Sequence, residues 1–237
     1  MGKHDNSDKV TVCFFAHYDK TGSVHEYVVD YLKKLRGAGV DKIYFCSDGD
    51  IDNASVLLDT TDCIITGRHG EYDFGSWKRC FLACKDEIDT LLLVNDSCFC
   101  VGDINQIMPV DGYEWGGVLQ STMHAHHVQS YFTWFRKPLI AELGRFLLSV
   151  EAQSTKNDVI MKYELGMSAL FIDKYKPHVI GEAATSYTFD LLRKSPLLKK
   201  IVLVEQMWNK WNTRHFINQM KERDMIMNYL RTQNVDC

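Results

Sequence analysis

The sequence predicts an α/β fold with a mostly parallel sheet flanked by helices and a helical C-terminal part. Short apolar runs alternate with stretches of helical periodicity, a pattern typical of parallel strand–helix–strand units. The first run, Val10–Tyr18, is apolar throughout, as expected for a strand buried on both faces. Val24–Leu35 then carries apolar residues at helical spacing. Gly37 and Gly39 follow it, and glycine commonly ends a helix.

The same alternation continues to about residue 120 and then gives way to helices. Further strands are predicted at Lys42–Ser47, Cys63–Thr66, Thr90–Val94, Trp115–Gln120 and Val179–Ile180, and helices at Phe74–Cys84, Leu139–Ala152, Val159–Tyr175 and His215–Leu230. Ile201–Val204 is apolar but too short to assign. Because no Gly-, Pro- or Ser-rich linker interrupts the chain, we expect one domain over residues 1–237, with an α/β half at 1–137 and a mainly helical half at 138–237.

Composition and charge exclude several classes of protein. The polar N-terminus does not resemble a secretory signal, and no apolar run is long enough to span a membrane. The eight cysteines lack paired zinc-ligand spacing, which favours free thiols in a reducing compartment. We therefore expect a cytoplasmic protein.

The net charge of -4 is unevenly distributed along the chain. From Asp190 onward, Lys and Arg outnumber Asp and Glu by about four. This basic C-terminal part predicts either peripheral contact with anionic lipid at the inner face of the membrane or a solvated helical face. The acidic overall charge and the lack of a basic stripe argue against nucleic-acid binding.

Polar residues follow four predicted strands, at the sheet edge where parallel α/β proteins bind ligands. They are His17, Tyr18 and Asp19, then Ser47 and Asp48, then residues 67–73, and finally Asn95, Asp96 and Ser97. Together they favour a nucleotide site. The glycine motifs of dinucleotide dehydrogenases and P-loop NTPases are absent, as is the Gly-x-Ser-x-Gly motif of serine hydrolases. A nucleotide-activated substrate is the remaining common ligand of such a sheet.

Two segments resemble the rhamnan synthesis protein F family. Residues 71–78 (EYDFGSWK) resemble its Gly-Tyr-Asp-Phe-Gly-Ala-Trp-Lys segment, and residues 91–97 (LLLVNDS) resemble its strand ending in Asn-Asp-Ser. Residues 115–117 and 127–132 resemble two later blocks in the same order. The resemblance covers the chain from about Val10 to about Leu170. Glu71 stands where the family has glycine, which leaves the sugar donor open.

This resemblance implies a Rossmann-like, GT-A-type glycosyltransferase. Members of the family build rhamnose-containing cell-wall and O-antigen polysaccharides. The implied sugar donor is a nucleoside-diphosphate sugar, such as dTDP-rhamnose or a UDP-sugar. The implied acceptor is a growing glycan or a polyprenyl-linked glycan. The α/β half would bind the donor and the helical half would face the acceptor.

The resemblance also implies roles for the polar residues at the sheet edge. Asp96 lies where GT-A enzymes carry an Asp-x-Asp metal motif, so it would contact ribose, the sugar or a weakly bound Mg²⁺ or Mn²⁺. The alternative is that Asp96, a single carboxylate at the end of a strand, caps the next turn. Asp73 would bind sugar-donor hydroxyls or cap the next helix, and Lys78 in that helix suits a diphosphate. The expected donor-binding residues are His17, Tyr18, Ser47, Asp48, Tyr72, Asp73, Lys78, Asn95, Asp96 and Ser97.

The resemblance implies an inverting transfer, which needs a general base that deprotonates the acceptor hydroxyl. Glu164 is the first candidate for this base and Asp158 the second, although each also fits an exposed helical carboxylate. The expected acceptor-binding residues are His127, Gln129, Ser130 and Tyr131.

Two other functions fit the same sequence. One is a hexosyltransferase that uses a different nucleoside-diphosphate sugar. The other is a catalytically silent module of this fold that docks a partner in a polysaccharide-assembly complex. Turnover of a panel of sugar donors separates an enzyme from a silent module.

Overall fold

The computed structural model describes residues 9–183, 195–204 and 215–235. Their largest element is a six-stranded central sheet. The strands are β1 (Thr11–His17), β2 (Lys42–Ser47), β3 (Cys63–Ile65), β4 (Thr90–Asn95), β5 (Cys98–Cys100), β6 (Trp115–Gly117), β7 (Leu119–Ser121), β8 (His127–Val128), β9 (Phe132–Arg136), β10 (Gly181–Ala183) and β11 (Leu197–Lys199). Six of them form the central sheet in the order β3-β2-β1-β4-β9-β6. Strands β1 to β4 pair in parallel, and β9 runs antiparallel between β4 and β6. The predicted mostly parallel α/β sheet is confirmed.

Helices cover both faces of this sheet. They are α1 (Glu26–Gly37), α2 (Tyr72–Ala83), α3 (Lys137–Leu148), α4 (Lys156–Val159), α5 (Leu165–Phe171), α6 (Lys200–Val204) and α7 (Arg223–Thr232). A π-helical turn, Ile160–Glu164, joins α4 to α5. The stretch predicted as one helix from Val159 is therefore built of three pieces, and the unassigned segment at Ile201 is helical.

The alternation of side chains along β1 explains why helices are needed on both sides. Phe15 points into the core that also contains buried residues of α1 and α7, whereas Phe14 points into the core shared with α2 and α3. Both rings are fully buried, and each such burial stabilises the fold by roughly 2 kcal/mol. A strand that is apolar on both faces requires this three-layer arrangement.

Two features of the sheet differ from the sequence prediction. Strand β9 was not predicted, because its aromatic residues directly follow the segment assigned to acceptor binding. The predicted strand Trp115–Gln120 is split, with β6 in the central sheet and β7 in a three-stranded sheet with β8 and β10. At the split, His178 forms a bridge to Gly116 and its carbonyl accepts the Gly117 N–H at 2.9 Å.

Within the described ranges, none of the helices has the length and apolar character that a bilayer crossing requires. The seven cysteines in these ranges are all free thiols.

Replacing Gly116 by alanine should destabilise the fold. A Cβ atom there would lie 2.3 Å from the His178 carbonyl oxygen and 2.8 Å from the Trp134 ring, so backbone would have to move. We expect the free energy of unfolding in urea to fall by about 2 kcal/mol, as for other overpacked sites. Gly37→Ala is the control, because nothing lies within 4 Å of its added Cβ. Equal stability of the two variants would contradict the close approach at β6.

Candidate active site

The segment that follows β4 is held by hydrogen bonds on two sides. The Asn95 side-chain amide donates to Asp73 Oδ2 at 2.7 Å. Its carbonyl oxygen accepts from the Ser97 backbone N–H at 3.1 Å and from the Ser97 hydroxyl at 2.6 Å. Because both ends of the amide are engaged, Asn95 fixes Asp73, in the first turn of α2, against the carboxyl end of β4. Residues predicted from two separate segments therefore lie in contact.

Asp73 has a raised pKa. Burial, followed by the negative charge of Asp96, raises the pKa of this carboxyl to about 6, against opposing effects of the Asn95 hydrogen bond and the charges of Lys156 and Lys200. The Asn95 hydrogen bond to Asp73, and the position of Asp96 directly after Asn95, place both residues at the same edge of the sheet. Asp73 is thus a carboxyl that exchanges its proton close to neutral pH.

Asp96 is buried within a network that joins distant parts of the chain. The Lys200 ammonium lies 3.5 Å from Asp96 Oδ2 and donates to the Tyr27 hydroxyl at 2.6 Å. The Tyr27 hydroxyl donates in turn to the Asp96 carbonyl at 3.1 Å. Burial lowers the pKa of Lys200, but the charge of Asp96, its hydrogen bond and the effects of Tyr229 and Cys98 together outweigh burial, so the net pKa is raised. Lys200 is therefore cationic at neutral pH.

His17 and Ser47, at the ends of β1 and β2, form a second buried contact beside this network. His17 Nδ1 lies 3.1 Å from the Ser47 hydroxyl. Its other nitrogen, Nε2, is 4.0 Å from Asp96 Oδ2 and has no hydrogen-bond partner among the described residues. Burial lowers the pKa of His17 more than Asp96 raises it, so the imidazole is neutral at pH 7.

A cleft of about 400 Å³ opens beyond the ends of β1 and β2. The Arg68 guanidinium lies 5.2 Å above the Tyr18 ring at its rim, and half of the Tyr18 surface is exposed. Asp48 also lines this cleft, and its Oδ1 accepts the backbone N–H groups of His69 at 2.7 Å and Gly70 at 3.0 Å. The cleft thus offers a flat aromatic and guanidinium surface on a loop that Asp48 holds in place.

Tyr72 begins α2 in an unusual backbone conformation. Its φ of 55° lies in the left-handed region, which is uncommon for a bulky side chain and occurs frequently at functional sites. Its side chain is exposed. The strained residue directly precedes Asp73, which places the carboxyl in the first turn of the helix.

Lys78 and Asp158 make contacts of another kind. The Lys78 ammonium donates to the Val150 carbonyl at 2.6 Å and lies 3.6 Å from Glu71. Asp158 forms a capping box with Thr155 at the start of α4. In the described part of the chain, neither forms a hydrogen bond or ion pair with residues 95–97. Lys78 thus links α2 to the segment after α3, and Asp158 stabilises a helix end.

Glu164, at the end of the π-helical turn, is held by two of the predicted acceptor-binding residues. Its Oε2 accepts from the Ser130 hydroxyl at 2.7 Å, and its Oε1 lies 3.3 Å from His127 Nε2. His127 Nδ1 lies 2.8 Å from the Ala125 carbonyl, so Nδ1 must carry hydrogen there. Nε2 donates to Glu164 when the ring is protonated.

The charges within this group reinforce one another. Burial would raise the pKa of Glu164, but hydrogen bonds from His127 and Ser130 and the charge of Lys199 outweigh burial and lower it. Burial would lower the pKa of His127, but its bonds to Glu164 and Ala125 outweigh burial and raise it. Glu164 is therefore an ionised carboxylate beside an imidazole that readily takes a proton.

The Glu164 group adjoins the end of β4. The Asn95 backbone N–H donates to the Tyr131 carbonyl at 3.2 Å, so residues 130–131 run alongside Asn95. The Lys199 ammonium lies 4.5 Å above the Tyr131 ring. The Gln129 backbone N–H donates to the carbonyl of Leu119, the first residue of β7, at 2.9 Å. The segments predicted to bind the sugar donor and the acceptor are thus joined by a backbone hydrogen bond at the end of β4.

Sequence reasoning did not find Tyr27, Lys199 or Lys200. Their partners lie far away in sequence: 69 residues separate Tyr27 from Asp96, and 104 separate Lys200 from it. The only available signal was the excess of basic residues near the C-terminus. Residues from the half predicted to be mainly helical therefore reach the end of β4.

The residues around Asp96 do not fit a Mg²⁺ or Mn²⁺ site. Such ions take several oxygen ligands, usually including more than one protein or substrate oxygen. In residues 9–183, 195–204 and 215–235, no group of three His, Cys, Asp or Glu side chains could hold a metal ion. Asp96 instead has an ammonium and a phenol as its neighbours.

No protein-family model matches the chain, and no curated protein matches it. Solved structures match at low similarity. The 4-diphosphocytidyl-2C-methyl-D-erythritol synthase of Anaerococcus prevotii has a TM-score of 0.47 and 10% identity, over 78% of this chain and 94% of that one. A cytidylyltransferase from Leptospira borgpetersenii has 0.45 and 10%, over 93% and 97%. Glucosyl-3-phosphoglycerate synthase from Mycobacterium tuberculosis has 0.41 and 10%, over 81% and 82%. Likeness of this degree carries no argument about activity or substrate.

Asp73→Asn should stabilise the protein at neutral pH but not in acid. Between its ordinary value of 3.8 and about 6, the unfolded chain loses the Asp73 proton while the folded chain keeps it. Stability therefore falls as pH rises through this window. Asparagine removes that loss and still accepts from Asn95. We expect the variant's advantage in urea unfolding to grow from near zero at pH 3.5 to roughly 2 kcal/mol at pH 7.

Asp59→Asn is the matched control for this comparison, because Asp59 is exposed. Its effect on stability should be small at both pH values. A constant difference between Asp73→Asn and the unmodified chain across the same range would contradict the raised pKa.

Proposed function

We propose that the chain is a glycosyltransferase that moves a sugar from a nucleoside-diphosphate sugar to a growing polysaccharide or lipid-linked glycan. The specific form of the proposal is an inverting rhamnosyl transfer, as in the rhamnan synthesis protein F family that its motifs resemble. One observation carries it: Asn95 touches Asp73 through its side chain and Tyr131 through its backbone. The segment predicted to bind the sugar donor and the segment that carries Ser130 therefore meet at the end of β4.

The sugar donor would lie along the carboxyl ends of β1, β2 and β4. The Tyr18 ring and the Arg68 guanidinium form a flat surface suited to stacking on a nucleobase. The Asp73 carboxyl offers an acceptor, and the Asn95 side-chain amide offers an N–H donor, for ribose or sugar hydroxyls. The buried contact between His17 and Ser47 holds the ends of β1 and β2 together at this edge. The diphosphate would then approach Asp96 and its neighbours.

Glu164 would act as the general base. The acceptor oxygen attacks the anomeric carbon of the sugar, its proton passes to the Glu164 carboxylate, and the bond from that carbon to the diphosphate oxygen breaks. Ser130 and His127 orient the carboxylate. Their bonds keep it ionised, which is the form that can accept a proton. Loss of activity in acid would follow protonation of Glu164.

The proposal includes a cytoplasmic location with peripheral contact to the inner face of the membrane. Its support is the basic C-terminal part, in which Arg223 and Arg231 are exposed at the two ends of α7. Cationic side chains on one surface are attracted to anionic lipid headgroups. This placement would bring the site close to a polyprenyl-linked acceptor.

A catalytically silent module is the second candidate, and the Glu164–His127 contact favours it. A carboxylate that is already paired with an imidazole is a weaker base than a free one, so the group could serve structure alone. A transferase that uses another nucleoside-diphosphate sugar is the alternative within the enzyme class. Glu71, which stands where the family has glycine, leaves the identity of the sugar open.

A thermal-shift screen tests the proposal directly. The full chain is heated with dTDP-, UDP- and GDP-sugars, each with and without Mn²⁺. We expect at least one nucleotide sugar to raise the melting temperature, because a ligand that binds only the folded state stabilises it, and the same compound to be hydrolysed or transferred. No shift with any sugar donor would contradict the proposal. A shift without turnover would support the silent module.

Glu164→Gln should lower the transfer rate by about 10² to 10⁴-fold, the usual contribution of a general base. Glutamine keeps the size of the side chain and its bond from Ser130, so affinity for the nucleotide sugar should change less than about threefold. Initial rates and binding isotherms on the same preparation measure both quantities.

Asp158→Asn is the matched control. It weakens the capping box of α4, which should cost about 1 kcal/mol of stability, while transfer continues near the normal rate. A Glu164→Gln enzyme with normal transfer, or an Asp158→Asn enzyme that loses transfer without losing stability, would remove Glu164 from the mechanism.

A further inference from the structure

We infer that Lys200 binds the diphosphate of the nucleotide sugar and supplies the positive charge there, so that binding requires no divalent metal ion. This inference rests on the proposed function and names the group that meets the leaving diphosphate. Three observations carry it: the surroundings of Asp96, the orientation of the Lys200 ammonium, and the way its backbone is fixed.

The first observation is that the charge of Asp96 is already balanced within the protein. Its carboxylate has Lys200 at 3.5 Å and the Tyr27 hydroxyl at 3.4 Å. Asp96 and Lys200 are both mostly buried, with side chains 11% and 16% exposed. A cation entering next to Asp96 would have to displace an ammonium, and no group of three His, Cys, Asp or Glu side chains in the described ranges could hold it.

The second observation is that phenol hydroxyls, which an anion can replace, orient the Lys200 ammonium. It has three N–H donors. Tyr27 accepts one at 2.6 Å and Asp96 Oδ2 lies at 3.5 Å from the nitrogen. The ammonium also lies 5.0 Å from the Tyr27 ring centre and 5.3 Å from that of Tyr229. The Tyr229 hydroxyl is the third polar neighbour of the ammonium, and a phosphate oxygen, which carries more negative charge than a phenol, can take its place.

The third observation is that the backbone of Lys200 is tied to the loop after β4. Its N–H donates to the Ser97 carbonyl at 2.9 Å. The preceding strand β11 pairs antiparallel with β5, with Lys199 opposite Cys98. The register of this small sheet thus sets Lys200 beside Asp96. A cation preorganised in this way needs little reorganisation when negative charge develops on the leaving diphosphate.

Asp96 keeps partners when Lys200 turns toward a phosphate. Tyr27 stays bonded to the Asp96 carbonyl. His17 Nε2, buried and without a partner in the described ranges, lies 4.0 Å from Asp96 Oδ2. A small approach converts this contact into a hydrogen bond. His17 Nε2 would thus bond to Asp96 when a diphosphate is bound, although it has no such bond when the site is empty.

Calorimetric titration of UDP and dTDP into the full chain tests the inference, in EDTA and again with 1 mM MnCl₂. We expect the better of the two nucleotides to bind in EDTA with a Kd within about threefold of the value with MnCl₂. Lys200→Met should weaken diphosphate binding at least tenfold, while binding of the corresponding monophosphate changes less than threefold. Lys200→Arg should restore most of the affinity, since it restores the charge.

Lys174→Met is the control variant, because Lys174 is exposed and pairs with Glu142 outside the site; it should bind like the unmodified chain. Binding that disappears in EDTA and returns with MnCl₂ would overturn the inference and leave the proposed function standing. Unchanged diphosphate affinity in folded Lys200→Met would overturn it too. The EDTA comparison needs no variant, so it decides even if Lys200→Met fails to fold. Failure of both nucleotides to bind under either condition would overturn this inference, and if the GDP-sugars also gave no thermal shift, the proposed function would fall with it.

Discussion

The ion pair between Asp96 and Lys200 is the constraint on which the site depends. A carboxylate buried at the end of a parallel strand is stable only when a cation or several hydrogen bonds meet it. The chain supplies that cation from position 200, far along the sequence from β4, and Tyr27 of α1 joins the two charges. Removing one member of such a pair typically costs a protein about 3 to 5 kcal/mol. The central sheet and the C-terminal segment are therefore held together by the same contact that shapes the candidate site.

The three carboxylates in this region lie in different electrostatic environments, because different polar groups surround each of them. Asp96 has an ammonium beside it. Glu164 has an imidazole and a hydroxyl, which lower its pKa. Asp73 has an amide, and burial together with the Asp96 charge raises its pKa to about 6. Separate pKa values of this kind allow neighbouring acids to do different work at one pH. In the proposed transferase, Glu164 takes a proton, Asp73 binds hydroxyls and Asp96 positions Lys200.

The sequence alone predicted the features that depend on local pattern. The apolar runs at β1 and β4 indicate strands buried on two faces, and parallel pairing then brings their polar ends together, so Asp73 and Asn95 were expected to meet. Strand β9 was missed because an aromatic run after a binding motif carries no sign of antiparallel pairing. Tyr27 and Lys200 were missed because each reads as an ordinary helical or surface residue until the fold brings it to Asp96. Contacts across 69 and 104 residues leave no trace in spacing.

The central claim is that the segment from Asn95 to Ser97 binds a nucleoside diphosphate beside Glu164. Amide NMR spectra of the ¹⁵N-labelled chain, recorded during titration with the nucleoside diphosphate that binds best, test it most directly. The account predicts the largest shift changes at the backbone amides of Asn95, Asp96 and Ser97 and of Lys200, whose N–H bonds to the Ser97 carbonyl. Shift changes confined to other surfaces, with these four amides unmoved at saturation, would contradict it.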